Sequence, residues 1–112
     1  MNEFELFTLI YYSLDAYYGR DIEDAYINSV VSDMNPFIFD DIGSADPAVY
    51  DEYKEYIEGK EITMENSLGI ARDYLKTIDY ADVTPALETM TEEKWIDGCK
   101  KYLSQPHKGE NL

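Results

Sequence analysis

Asp46-Pro47-Ala48-Val49-Tyr50-Asp51-Glu52-Tyr53-Lys54-Glu55-Tyr56-Ile57-Glu58-Gly59 reads as a helix with both of its ends written out. The aspartate is a cap, the proline takes the first helical position where its missing N–H is not needed, and the glycine marks the stop. Counting about 100° per residue from Asp51, Val49, Tyr50, Tyr53, Tyr56 and Ile57 fall at about 140° to 260°. Asp51, Glu52, Glu55 and Glu58 fall at about 340° to 100°. One side is aromatic core and the other is a ridge of carboxylates, so this segment is an amphipathic helix packed against other helices.

The same 3.6-residue period extends in both directions. From Asn2, Phe4, Phe7, Tyr11, Leu14 and Tyr18 recur at helical spacing, with Leu6 and Ile10 widening the stripe and Gly19 stopping it. Asp21 reads as the cap of a second helix that ends ahead of Pro36, because the residue before a proline is pushed out of the helical region. Residues 35–46 form the longest irregular segment, in which Phe37, Ile38, Phe39 and Ile42 are expected to fold back over the core. Thr63 caps a fourth helix striped by Met64, Leu68, Ala71, Leu75 and Ile78. A short piece opens at Thr84-Pro85 and runs through Met90. Thr91 caps a last helix with Trp95, Ile96, Cys99, Tyr102 and Leu103 on one face. Residues 105–112 are expected to fray. No strand alternation is present, so the expected fold is all-α, a compact orthogonal bundle of five to six short helices spanning residues 1–104.

Composition narrows the function. A chain of 112 residues suits one domain, and 45% hydrophobic with 29% charged residues supports a core. No apolar run approaches the roughly 20 residues of a membrane span, and Glu3, Glu5 and Asp15 stand where a secretory leader would be basic or apolar, so a cytoplasmic location is expected. The formal net charge is −15. That field repels nucleic acid and anionic membrane and favours a basic partner. It is lopsided: residues 1–58 hold 14 acids and two bases, and residues 59–112 hold ten acids and seven bases.

Candidate chemistry is sparse. His107, the one histidine, lies in the tail, and Cys99 lies on an apolar stripe where it reads as a small buried hydrophobe. Asp40 to Asp46 gathers three carboxylates and a serine about Gly43 but lacks the spacing of a calcium loop. The six glycines are dispersed, so no phosphate-cradling loop is written, and no cofactor or metal is expected. Eleven tyrosines exceed what a core this size buries with satisfied hydroxyls, so some must reach the surface.

The run Met34-Asn35-Pro36-Phe37, then Asp46-Pro47 and Asp51-Glu52-Tyr53, resembles small bacterial helical proteins that carry an Asp/Asn-Pro turn followed by an Asp-Glu-Tyr segment. In size and charge the chain is also similar to the acidic immunity proteins that neutralise toxins. The residues themselves point to a non-catalytic binding protein, of the immunity or inhibitor kind, that presents Asp40, Asp41, Asp51, Glu52, Glu55 and Glu58 to a basic protein partner. The alternative is a helical module that forms a homo-oligomer or complex through apolar surface, its charge serving solubility only. A carboxylate-based enzyme is a third reading.

Overall fold

The computed structural model describes residues 1–112 and is all-helical, with α1 Glu3–Tyr18, α2 Ala25–Met34, α3 Pro47–Ile57, α4 Met64–Lys76, α5 Pro85–Glu88 and α6 Glu92–Leu103. Its principal extents are 34 × 31 × 26 Å, and it has no strands. No helix is long and apolar enough to cross a membrane.

Caps fix most of the boundaries. Asn2 and Glu5 form a reciprocal capping box at the start of α1, and Thr63 with Asn66 does the same for α4, so two backbone N–H groups are satisfied at each start. Asp46 and Thr91 cap α3 and α6 as the sequence indicates. The cap of α2 differs from expectation. Asp24, not Asp21, holds it, its Oδ1 accepting from the N–H groups of Tyr26 and Ile27. An aspartate that satisfies two orphan donors outcompetes one three residues upstream, and the helix starts later.

The core is built around α1, which packs on α2, α3, α4 and α5. Phe4 and Phe7 meet Tyr50 edge-on at centroid distances of 5.8 and 5.1 Å, and Tyr53 meets Tyr74 edge-on at 5.1 Å. Tyr53 is fully buried, and its hydroxyl donates to the Glu3 carbonyl at 2.7 Å, which meets the need of a phenol taken out of water. Burial carries the Tyr53 and Tyr74 hydroxyls far above the ordinary phenol range and lifts Tyr50 to about 12. Cys99 is buried, as its stripe indicates, and burial pushes its thiol up.

Helix α6 packs on α4, where the Trp95 indole N–H donates to Ser67 Oγ at 2.8 Å. Helix α6 also faces α1, where Tyr12 and Tyr102 meet edge-on at 6.0 Å, and a groove runs between the two helices.

The tail corrects a second expectation. Residues 105–112 do not fray. Asn2 Nδ2 donates to the Gly109 carbonyl at 2.9 Å, His107 Nε2 meets Glu5 Oε2 at 2.6 Å, and Lys108 Nζ donates to the carbonyls of Pro36 and Phe39 at 2.6 Å each. Gly109 takes φ +81° against the Phe4 ring, a conformation and an approach that favour glycine. The tail thus straps the start of α1 to the 35–46 loop. A tail rich in polar residues is docked by long-range hydrogen bonds, which leave no periodic mark in sequence.

Candidate partner-binding surface

Ser44 is the pin that sets the loop. Its hydroxyl donates to the Asp46 carbonyl at 2.5 Å and accepts from the Tyr50 N–H at 3.1 Å, tying the loop's end into the first turn of α3. At its beginning, Asn35 Oδ1 accepts from the Phe37 N–H, and the Asn35 carbonyl accepts from the Ala45 N–H. Both ends are fixed and the middle bulges outward. Phe37, Ile38, Phe39 and Ile42 are 46, 58, 57 and 39% exposed, so they do not fold back over the core as expected. Phe37 alone finds aromatic neighbours, Tyr11 and Tyr12, at 6.0 and 5.6 Å.

All six acidic residues singled out from the sequence are exposed. None of them makes an ion pair; the pairs present are Lys76 with Asp73 and His107 with Glu5. The structure nevertheless divides them. Asp51 shares a hollow of about 450 Å³ with Ile42 of the loop, Glu3 of α1 and Leu112 of the tail. Glu52, one residue on, lies on the opposite shoulder of α3, beside Tyr74, Asp79 and Tyr80. A single residue step turns the helix by about 100°, which explains the split. Glu55 and Glu58 continue along the ridge, Glu58 ending α3 in an extended conformation.

Asp40 and Asp41 have a partner inside the chain. Lys108 is drawn below its ordinary range by burial, and these two carboxylates oppose that effect. Their charge therefore helps hold the tail strap against the loop as well as facing solvent.

The Glu52 shoulder carries its own cluster. Asp33 is raised by burial and then by the charge of Asp46, while its side-chain hydrogen bond with Tyr80 acts in the opposite direction. No group of three or more histidine, cysteine or acidic side chains converges as metal ligands do.

Glu3, Ile42 and Leu112 join the Asp51 hollow from separate parts of the sequence. No local pattern relates them. Nothing in the sequence marks Ile42 as exposed, because an apolar residue in a segment with no periodicity can face either way. Compared with known protein families, curated proteins and solved structures, the chain matches none.

Proposed function

We propose that this chain is a non-catalytic binding protein, of the inhibitor kind, that captures a basic protein through the face made by the 37–42 loop and the Asp51 edge of α3. The observation that carries this reading is the shared hollow of Ile42 and Asp51, which sets the exposed Ile42 and Leu112 beside the carboxylates of Glu3 and Asp51, with Lys54 also in its lining but paired with neither. Interfaces draw their affinity from apolar anchors at the centre, whereas charges at the rim set the encounter rate. Ile42 and Phe39 supply the first, and Glu3, Asp51, Glu55 and Glu58 the second. The acidic N-terminal half extends the attraction beyond the contact area.

The direct test is photo-crosslinking from a benzoyl-phenylalanine placed at Ile42 or Phe39, in the cells that make the protein. The expected product is a discrete adduct with a protein whose contacted surface is basic. A lack of discrete adducts, or adducts only to acidic proteins, contradicts the reading.

A second reading is self-association through the loop, which the exposure of Ile38 and Phe39 favours. Salt separates the two, because screening weakens capture of a basic partner and relieves repulsion between copies that each carry −15.

A further inference from the structure

The groove between α1 and α6 differs in chemistry from the rest of this acidic surface. It has a volume of about 390 Å³, within the range of small-molecule sites. Leu9, Tyr12 and Trp95 are among its apolar lining residues, and two ammonium groups, Lys94 and Lys101, stand on its rim with no carboxylate among the residues that line it. Four other surface cavities each include at least one carboxylate: Asp79 and Asp82 in one, Glu3 and Asp51 in the next, Glu52 and Asp79 in the third, and Asp41 in the fourth. In a chain with 24 acids and nine bases, this groove stands apart from those four in having bases and no acid in its lining.

The rim has a built centre. Lys94 and Lys101 are seven residues apart, which on a helix places them on one face about 10 Å apart, with Gly98 between them. A Cβ at Gly98 would meet nothing within 4 Å, so no packing inside the chain requires a glycine there. In a helix interior glycine costs about 1 kcal/mol relative to alanine. Its effect is to leave the groove open and free of side-chain atoms between the two lysines.

We propose that this groove binds a medium-chain monocarboxylate, with the carboxylate over Gly98 between Lys94 and Lys101 and the alkyl chain along Leu9, Tyr12 and Trp95. Charge selects this occupant over a second copy of the chain or an acidic polypeptide. Either of those would bring many negative charges against the −15 already present, whereas a monocarboxylate brings one, placed between two ammonium groups in a groove whose lining holds no carboxylate.

Trp95 is the one tryptophan in the chain and lines the groove, so its fluorescence reports occupancy directly. Decanoate, titrated below its micelle concentration, should give a saturable change in Trp95 emission with one equivalent bound by calorimetry. The uncharged analogue 1-decanol should bind at least tenfold more weakly. At Gly98 a Cβ meets nothing within 4 Å and a side chain improves helix propensity, so Gly98→Leu, which extends into the groove, should fold at least as well as the parent and lose at least tenfold in affinity. Lys94→Glu with Lys101→Glu, both at exposed positions, should lose as much. The proposal is overturned by an absence of saturable binding up to millimolar decanoate, by equal binding of decanol, or by a folded Gly98→Leu protein that binds as the parent does.

Discussion

His107 Nε2 stands 2.6 Å from Glu5 Oε2, joining two side chains 102 residues apart, each with 9% of its surface exposed. The other ring nitrogen, Nδ1, faces the Gln105 carbonyl at 2.6 Å. Both partners are acceptors, so the arrangement favours the doubly protonated imidazole, whose two ring nitrogens both donate. Burial opposes that charge, but the Gln105 carbonyl and the Glu5 carboxylate outweigh it, and the pKa is raised. Glu5 is already engaged, because its Oε1 accepts from the Asn2 N–H in the α1 capping box. One carboxylate thus ties the first turn of the chain to its last residues.

The strap should therefore loosen with alkali. A histidine whose folded pKa is raised contributes stability that is fully present below the ordinary value of about 6.5 and is lost as pH climbs through the raised value. Amide-exchange protection factors for residues 105–112 should be high below about pH 6.5 and fall as pH climbs through the raised pKa, with α2 to α6 unaffected. His107→Gln should remove the pH dependence. Equal protection at both extremes would contradict the latch.

Gly109 offers a separate handle on the same strap. Gly109→Ala imposes a left-handed backbone on a residue with a Cβ, costing about 1–2 kcal/mol, and would place that Cβ 2.6 Å from the Phe4 ring. Gly19→Ala bears the backbone cost but meets open space. Thermal melts should show Gly109→Ala as the more destabilised of the two. The reverse order would mean that the tail is not seated on Phe4.

The elements that the sequence exposed and those it hid differ in the range of their interactions. Helices α1, α3, α4 and α6 were legible because their caps and stripes lie within a few residues of one another. The start of α2 was displaced because Asp21 and Asp24 are equivalent as local signals, and only Asp24 lies where its carboxylate reaches two N–H groups. The strap was illegible because each of its contacts, Asn2 with Gly109 or Lys108 with Phe39, spans most of the chain. The acidic ridge was legible as a face of α3, but its division between Asp51 and Glu52, and the arrival of Glu3 and Ile42 beside Asp51, depend on tertiary placement. The outward bulge of Phe37 to Ile42 departs from the expected inward fold for a physical reason: apolar residues without periodicity say nothing about which way they face.

Ser67 should matter more than a serine on a helix usually does. Ser67→Ala leaves the buried Trp95 N–H without its acceptor, which costs about 1–3 kcal/mol. Chemical denaturation should show that loss, and Ser67→Thr should recover part of it if the larger side chain is accommodated. A change within about 0.5 kcal/mol would mean that the indole finds another acceptor.

Cys99 is fully buried, with its thiol pushed up by burial. Labelling by a thiol reagent should be slow in the native protein and should quicken sharply on unfolding. Rapid native labelling would show that α6 opens locally and exposes the stripe it shares with Trp95.

The central claim is capture of a basic partner by the Asp51 face, and the association rate of the triple variant Asp51→Gln, Glu55→Gln, Glu58→Gln tests it most directly. These side chains are exposed and make no ion pairs, and removing like charges from one face should keep or raise the melting temperature. With the partner identified by crosslinking at Ile42, association at low salt should slow by roughly tenfold to a thousandfold, and the gap between parent and variant should close as salt is added. An association rate unchanged by the three substitutions, in a protein that folds normally, would contradict the claim.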